Sequence, residues 1–144
     1  MDSFLKFINK PFSVQILFFK SLFYIALIKI LLKALNFNIF KKTYRKLFLL
    51  LKSSYLPNDN YITNVIWAVV RTKYFIPSAK NCLVQALASK LLLARYGKAI
   101  KLHIGVKFDP SHKFLAHAWV EYNSEIIIGE LPGEHYQNLW VWEN

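Results

Sequence analysis

The sequence predicts an α+β fold, with N-terminal helices followed by an antiparallel sheet, and three observations carry that prediction. Apolar residues recur at helical spacing from residue 12 to Tyr96. After Gly97 the apolar period changes from 3.6 to 2. Short turn signals then separate the alternating segments, which is how sequential strands pair antiparallel.

Residues 12–35 read as a helix, apolar nearly all round through Leu17, Phe18, Leu22, Ile25 and Ile28. Asn36-Phe37-Asn38 breaks it, and a second helix over 39–54 has Lys41, Lys42, Arg45, Lys46 and Lys52 on its polar side. Leu56-Pro57-Asn58-Asp59 is a turn, in which Asn58 or Asp59 can cap a third helix over 60–74, ended by Ile76-Pro77. A fourth helix starts at Asn81 and runs to Tyr96, with Gly97 as its stop. Leu102, Ile104, Val106 and Phe108 alternate with Lys101, His103, Gly105 and Lys107 in a first strand. Asp109-Pro110-Ser111 turns the chain into a second strand over 113–122. Asn123-Ser124 serves as a two-residue turn into a third over 125–130, and Leu139-Trp140-Val141-Trp142 offers a fourth.

At 144 residues the chain fits a single domain, 1–144, with a helical part over 12–74 and a core over 77–144. Hydrophobic residues make up 55% and aromatics 17%, so the chain packs densely or leaves apolar surface for a partner to cover. A single cysteine excludes an intramolecular disulfide and points to a reducing compartment. No Cys/His cluster has zinc spacing, and no metal or cofactor is expected.

The net charge of +11 is unevenly spread, from ten Lys/Arg against Asp2 in residues 1–55 to two Lys against six acids in 102–144. An anionic partner is implied for the basic front. The cations there are mostly Lys and no nucleic-acid reading module is present, so an acidic peptide or a peripheral membrane contact is expected rather than nucleic acid. Lys20, Lys29 and Lys33 interrupt the apolar front, whose uncharged runs fall short of the roughly 20 residues of a membrane span. No small-residue cleavage site follows it either, and the expected location is cytoplasmic.

The candidate chemistry starts at Cys82, one residue after Asn81, a good N-cap. A helix N-terminus favours a thiolate and offers backbone N–H groups to an oxyanion. The alternative is a small buried apolar residue. His117 lies 35 residues on, sharing a strand face with Leu115, Trp119 and Glu121. With a two-residue turn at Asn123-Ser124, Glu130 falls directly across from His117, where a carboxylate accepts the ring N–H and orients the imidazole. A three-residue turn would instead bring Gly129 opposite His117. Glu121 is too far along the same strand to do so, and His103, His112 and His135 read as solvated.

These residues resemble a known family. Asn81-Cys82-Leu83-Val84-Gln85-Ala86-Leu87, Leu91-Leu92-Leu93-Ala94-Arg95-Tyr96-Gly97, Leu102-His103-Ile104-Gly105-Val106 and Ala116-His117-Ala118-Trp119-Val120-Glu121 are similar, in that order, to the lasso-peptide maturation proteases. The resemblance implies a transglutaminase-like, papain-related core and a cysteine peptidase that removes the leader from a ribosomally made lasso-peptide precursor. Cys82 would be the nucleophile and His117 the general base. The family's usual third residue is Asp, twelve residues past the histidine. That place is Gly129 here, with Glu130 one further on.

The resemblance also implies the split form of the family, in which a separate leader-recognition protein presents the precursor and the lasso cyclase acts next. Two other readings use the same residues. One is a transglutaminase-like amidase or acyltransferase working through the same acyl-enzyme. The other is a non-catalytic basic adaptor.

Overall fold

The computed structural model describes residues 7–53, 60–76 and 82–143. Four α-helices are present among these residues: α1 (Phe12–Ala34), α2 (Phe37–Leu51), α3 (Tyr61–Arg71) and α4 (Cys82–Leu92). Strands β1 (Ile100–Phe108), β2 (Phe114–Tyr122), β3 (Glu125–Ile128) and β4 (Gln137–Trp142) follow. This is the helices-then-sheet, α+β layout.

No Gly or Pro interrupts 12–34, and α1 runs unbroken from Pro11 to Leu35. By length and composition it is apolar enough to cross a membrane, despite its three lysines. Its Val14, Leu17, Phe18, Ser21, Ile25 and Ile28 are nevertheless buried, packed toward α3 and α4. The break before α2 is shorter than expected, because Asn36 is itself a cap. Its side-chain oxygen accepts from the Ile39 N–H at 3.0 Å, and the helix starts at Phe37. Phe40, Tyr44 and Phe48 then bury one face of α2. The expected caps Asn58, Asp59 and Asn81, and the stop at Pro77, lie outside the described residues.

The last helix ends at Leu92, earlier than the spacing predicts. A 3₁₀ segment, Ala94–Ala99, continues to β1, with Gly97 turning the chain at φ 55°. Side chains tie α4 in place from three sides. Tyr44 donates to the Leu87 carbonyl at 2.7 Å, Tyr61 to that of Leu92 at 3.1 Å, and Lys90 to that of Ile100 at 2.9 Å. Full burial pushes the Tyr44 phenol well above its ordinary pKa, which keeps it a neutral donor.

The sheet order is β3-β2-β1-β4, all antiparallel. Its inner face carries Ile100, Leu102, Ala118, Val120 and Ile128, which join Leu87 and Leu91 of α4 in one core. Trp142 extends that face to Tyr44 of α2, ring centroids 4.8 Å apart. The outer face carries His103, Gly105, His117, Trp119 and Glu121, by the alternation of strand side chains.

Candidate active site

Cys82 is the first residue of α4, partly exposed, free of any disulfide and packed at the edge of the core. The Lys90–Ile100 hydrogen bond sets the far end of α4 beside the start of β1. At about 1.5 Å per helical residue, Cys82 lies about 12 Å along the helix axis from Lys90, at the other end of α4.

The β2–β3 turn is the expected two-residue one, with Asn123 at φ 50° and Ser124 at φ 66°. Tyr122 pairs Glu125 and Glu121 pairs Ile126, as that turn requires. A bulge then shifts the register so that Val120 pairs Ile128, and β3 stops there. The cross-strand pair of His117 with Glu130, read from an unbroken register, is therefore not formed. Instead the ring Nε2 of His117 lies 2.5 Å from the carbonyl oxygen of Gly129.

That contact defines the imidazole. A carbonyl only accepts, so Nε2 carries the proton, and in the neutral ring the lone pair is on Nδ1. The main chain thus supplies the acceptor at the position where the resembled family has an Asp side chain. Gly129 is needed there: its φ is 86°, and an added Cβ would come within 2.7 Å of the Ala118 carbonyl. Trp119 stacks beside the ring at a centroid distance of 5.9 Å, and Tyr136 packs against it at 5.2 Å. Glu130 is exposed and lines the same cleft as His117, a cavity of about 310 Å³ closed by Gly129–Tyr136. Its carboxylate makes no hydrogen bond or ion pair among the described residues.

His103 departs from the solvated residue its alternating position predicts. It is only 7% exposed, stacked on Trp119 with centroids 5.2 Å apart and planes at 2°, and its Nε2 is 3.2 Å from a Glu121 oxygen. The outer face is dry there because Trp119 lies across Gly105. A Cβ on that glycine would meet the indole and Tyr136 at 2.8 Å. The signal available in the sequence was the lone Gly105 opposite an aromatic strand.

The structure brings His117, Gly129 and Glu130 to one cleft, on the outer face of the sheet. Cys82 packs at the edge of the core on the inner side, and no hydrogen bond joins its sulfur to His117. A second cavity, about 470 Å³, lies away from both, where Asn38, Lys41, Lys42 and Arg45 of α2 face Trp140 and Trp142.

The family model described as the transglutaminase-like superfamily matches residues 32–141, about three quarters of the sequence. The chain belongs to the transglutaminase-like superfamily. No match was found among curated proteins or among solved structures. The superfamily includes cysteine peptidases, and the match spans Cys82, His117 and the cleft around Gly129.

Proposed function

We propose that this transglutaminase-like chain is a cytoplasmic cysteine peptidase that removes the leader from a lasso-peptide precursor, with Cys82 as nucleophile and His117 as general base. The observation that carries the reading is a partly exposed thiol at the first residue of α4, within a matched superfamily that includes cysteine peptidases. The first turn of a helix offers free backbone N–H groups to an oxyanion. His117, its Nε2 held by the Gly129 carbonyl, keeps Nδ1 unprotonated and able to take the thiol proton.

In the first step the sulfur bonds to the scissile carbonyl carbon while the imidazole takes the thiol proton. The C–N bond then breaks, and the imidazolium gives that proton to the leaving amine. Water, deprotonated by the same imidazole, hydrolyses the thioester and restores the thiol. The Gly129 carbonyl orients the ring, and Glu130 lines the same cleft. The Lys41, Lys42 and Arg45 cavity supports docking of an acidic stretch of substrate. A separate recognition protein presents the leader, and the cyclase takes the freed core peptide.

A second reading, a non-catalytic adaptor, has one specific observation in its favour. His117 projects from the face of the sheet opposite α4, so catalysis requires His117 and the start of α4 to come together when peptide binds. Mass spectrometry of the candidate precursor, incubated with this chain and its recognition partner, separates the two. Cleavage that is lost in both Cys82→Ala and His117→Ala supports the peptidase. Binding of precursor without any cleavage supports the adaptor.

A further inference from the structure

The outer side of α1 is a stripe of large apolar residues at helical spacing. Phe12 is 76% exposed, Phe19 60%, Phe23 61% and Ile30 63%, and Ile16 sits between them. These positions follow i, i+4, i+7, i+11 and i+18, so they line one side of the helix over about 27 Å. The helical angle puts exposed Lys20 on one flank of the stripe and exposed Lys33 on the other. No Asp or Glu occurs between Asp2 and Asp59.

We infer that α1 lies flat in the headgroup region of an anionic lipid bilayer, its Phe stripe inserted and its lysines at the phosphates. The helix is long and apolar enough to span, but its opposite side is in the core against α3 and α4. A helix with one face committed to the domain lies in the interface plane rather than crossing it. Other aromatic rings with cationic neighbours lie beside the helix, Phe7 touching both Phe19 and Trp67. Phe75, 59% exposed, packs on Phe18 at 5.2 Å, Lys73 lies over Tyr74 and Lys10 over Trp67. Rings with basic tips suit a boundary that is apolar below and anionic above.

A bilayer fits better than a second copy, which would bring the same lysines against each other. It also fits better than a protein groove, whose rim would have to be acidic on both sides of a stripe this long. Almost all of α1 precedes the matched superfamily residues, and the inference does not depend on the peptidase reading.

Co-sedimentation of the full-length chain with phosphatidylcholine vesicles, with and without about one third phosphatidylglycerol, tests it. The chain should pellet with the anionic vesicles, and added salt should release part of it. Phe19→Gln with Phe23→Gln should weaken binding at least about tenfold, with circular dichroism unchanged because both positions are exposed. Lys20→Gln with Lys33→Gln should remove the preference for anionic lipid, and Cys82→Ala should pellet like the parent. Failure to pellet with either vesicle, or pelleting undiminished by the Phe substitutions, overturns the inference. So does a dimer that the Phe substitutions dissociate without any vesicle binding.

Discussion

The two faces of the sheet are built by different rules. The inner face is aliphatic, with Ile100, Leu102, Ala118, Val120 and Ile128 closed over by α4, and its polar groups are tethered one by one to backbone carbonyls. The outer face is a row of rings, His103 on Trp119 on His117 against Tyr136, held by stacking and by main-chain contacts to the Gly129 turn. The inner face holds the thiol and sets stability, whereas the outer face holds the imidazole and sets its tautomer. Substitutions on the two should separate accordingly.

The largest effect belongs to Cys82→Ala, which should lower precursor cleavage by at least about 10⁴-fold. Its melting temperature should stay near that of the parent, since a half-buried thiol replaced by a methyl leaves a small gap. A variant that cleaves normally would remove the thiol from the chemistry.

Next comes the inner-face lysine. Lys90 is buried, with its ammonium against the Ile100 carbonyl and 4.8 Å from the Phe48 ring centroid. Burial lowers its pKa to about 8, partly offset by Glu143. The folded state therefore holds fewer protons than the unfolded one between about pH 8 and 10.5, and this group's contribution makes stability rise with pH across that window. The gain is about 3 kcal/mol, and Lys90→Met should abolish that rise in urea titrations from pH 7 to 10.5. A parent and variant with parallel pH profiles would show that the lysine is not buried as a charge.

Gly129→Ala should cost about 1–3 kcal/mol, from its left-handed φ and the close Ala118 carbonyl. It should also slow cleavage, because the carbonyl that holds His117 moves. Denaturation and cleavage rates on one preparation check both halves. Glu130→Gln should slow cleavage by less than about tenfold, since the main chain already orients the ring. A fall of about 10⁴-fold would instead make the carboxylate the orienting group, as in the worked serine-protease case. The smallest effect is Glu121→Gln, which weakens a pair with buried His103 and should cost about 1 kcal/mol of stability with cleavage within about twofold.

Much of the architecture was legible because it rests on period. The helices over 12–34 and 61–71 and the two long strands follow from apolar spacing, and Asn123-Ser124 from its turn chemistry. What escaped reading depends on tertiary contacts. The bulge before Ile128 leaves no local mark, yet it breaks the register that would set Glu130 across from His117, whose ring meets the Gly129 carbonyl instead. A histidine alternating with apolar residues reads as wet, and only the indole lying across Gly105 buries His103. The place of Cys82 at a helix start was legible, but the face on which each partner lies depends on how α4 docks.

The most direct test of the thiol–imidazole unit is the rate of iodoacetamide alkylation at Cys82 at pH 7, measured on the full-length chain and on His117→Ala with precursor bound. A fall of at least about tenfold is expected in the variant, because the imidazole no longer takes the thiol proton. Equal rates in the two proteins would contradict it and leave Cys82 and His117 as separate residues on two sides of one sheet.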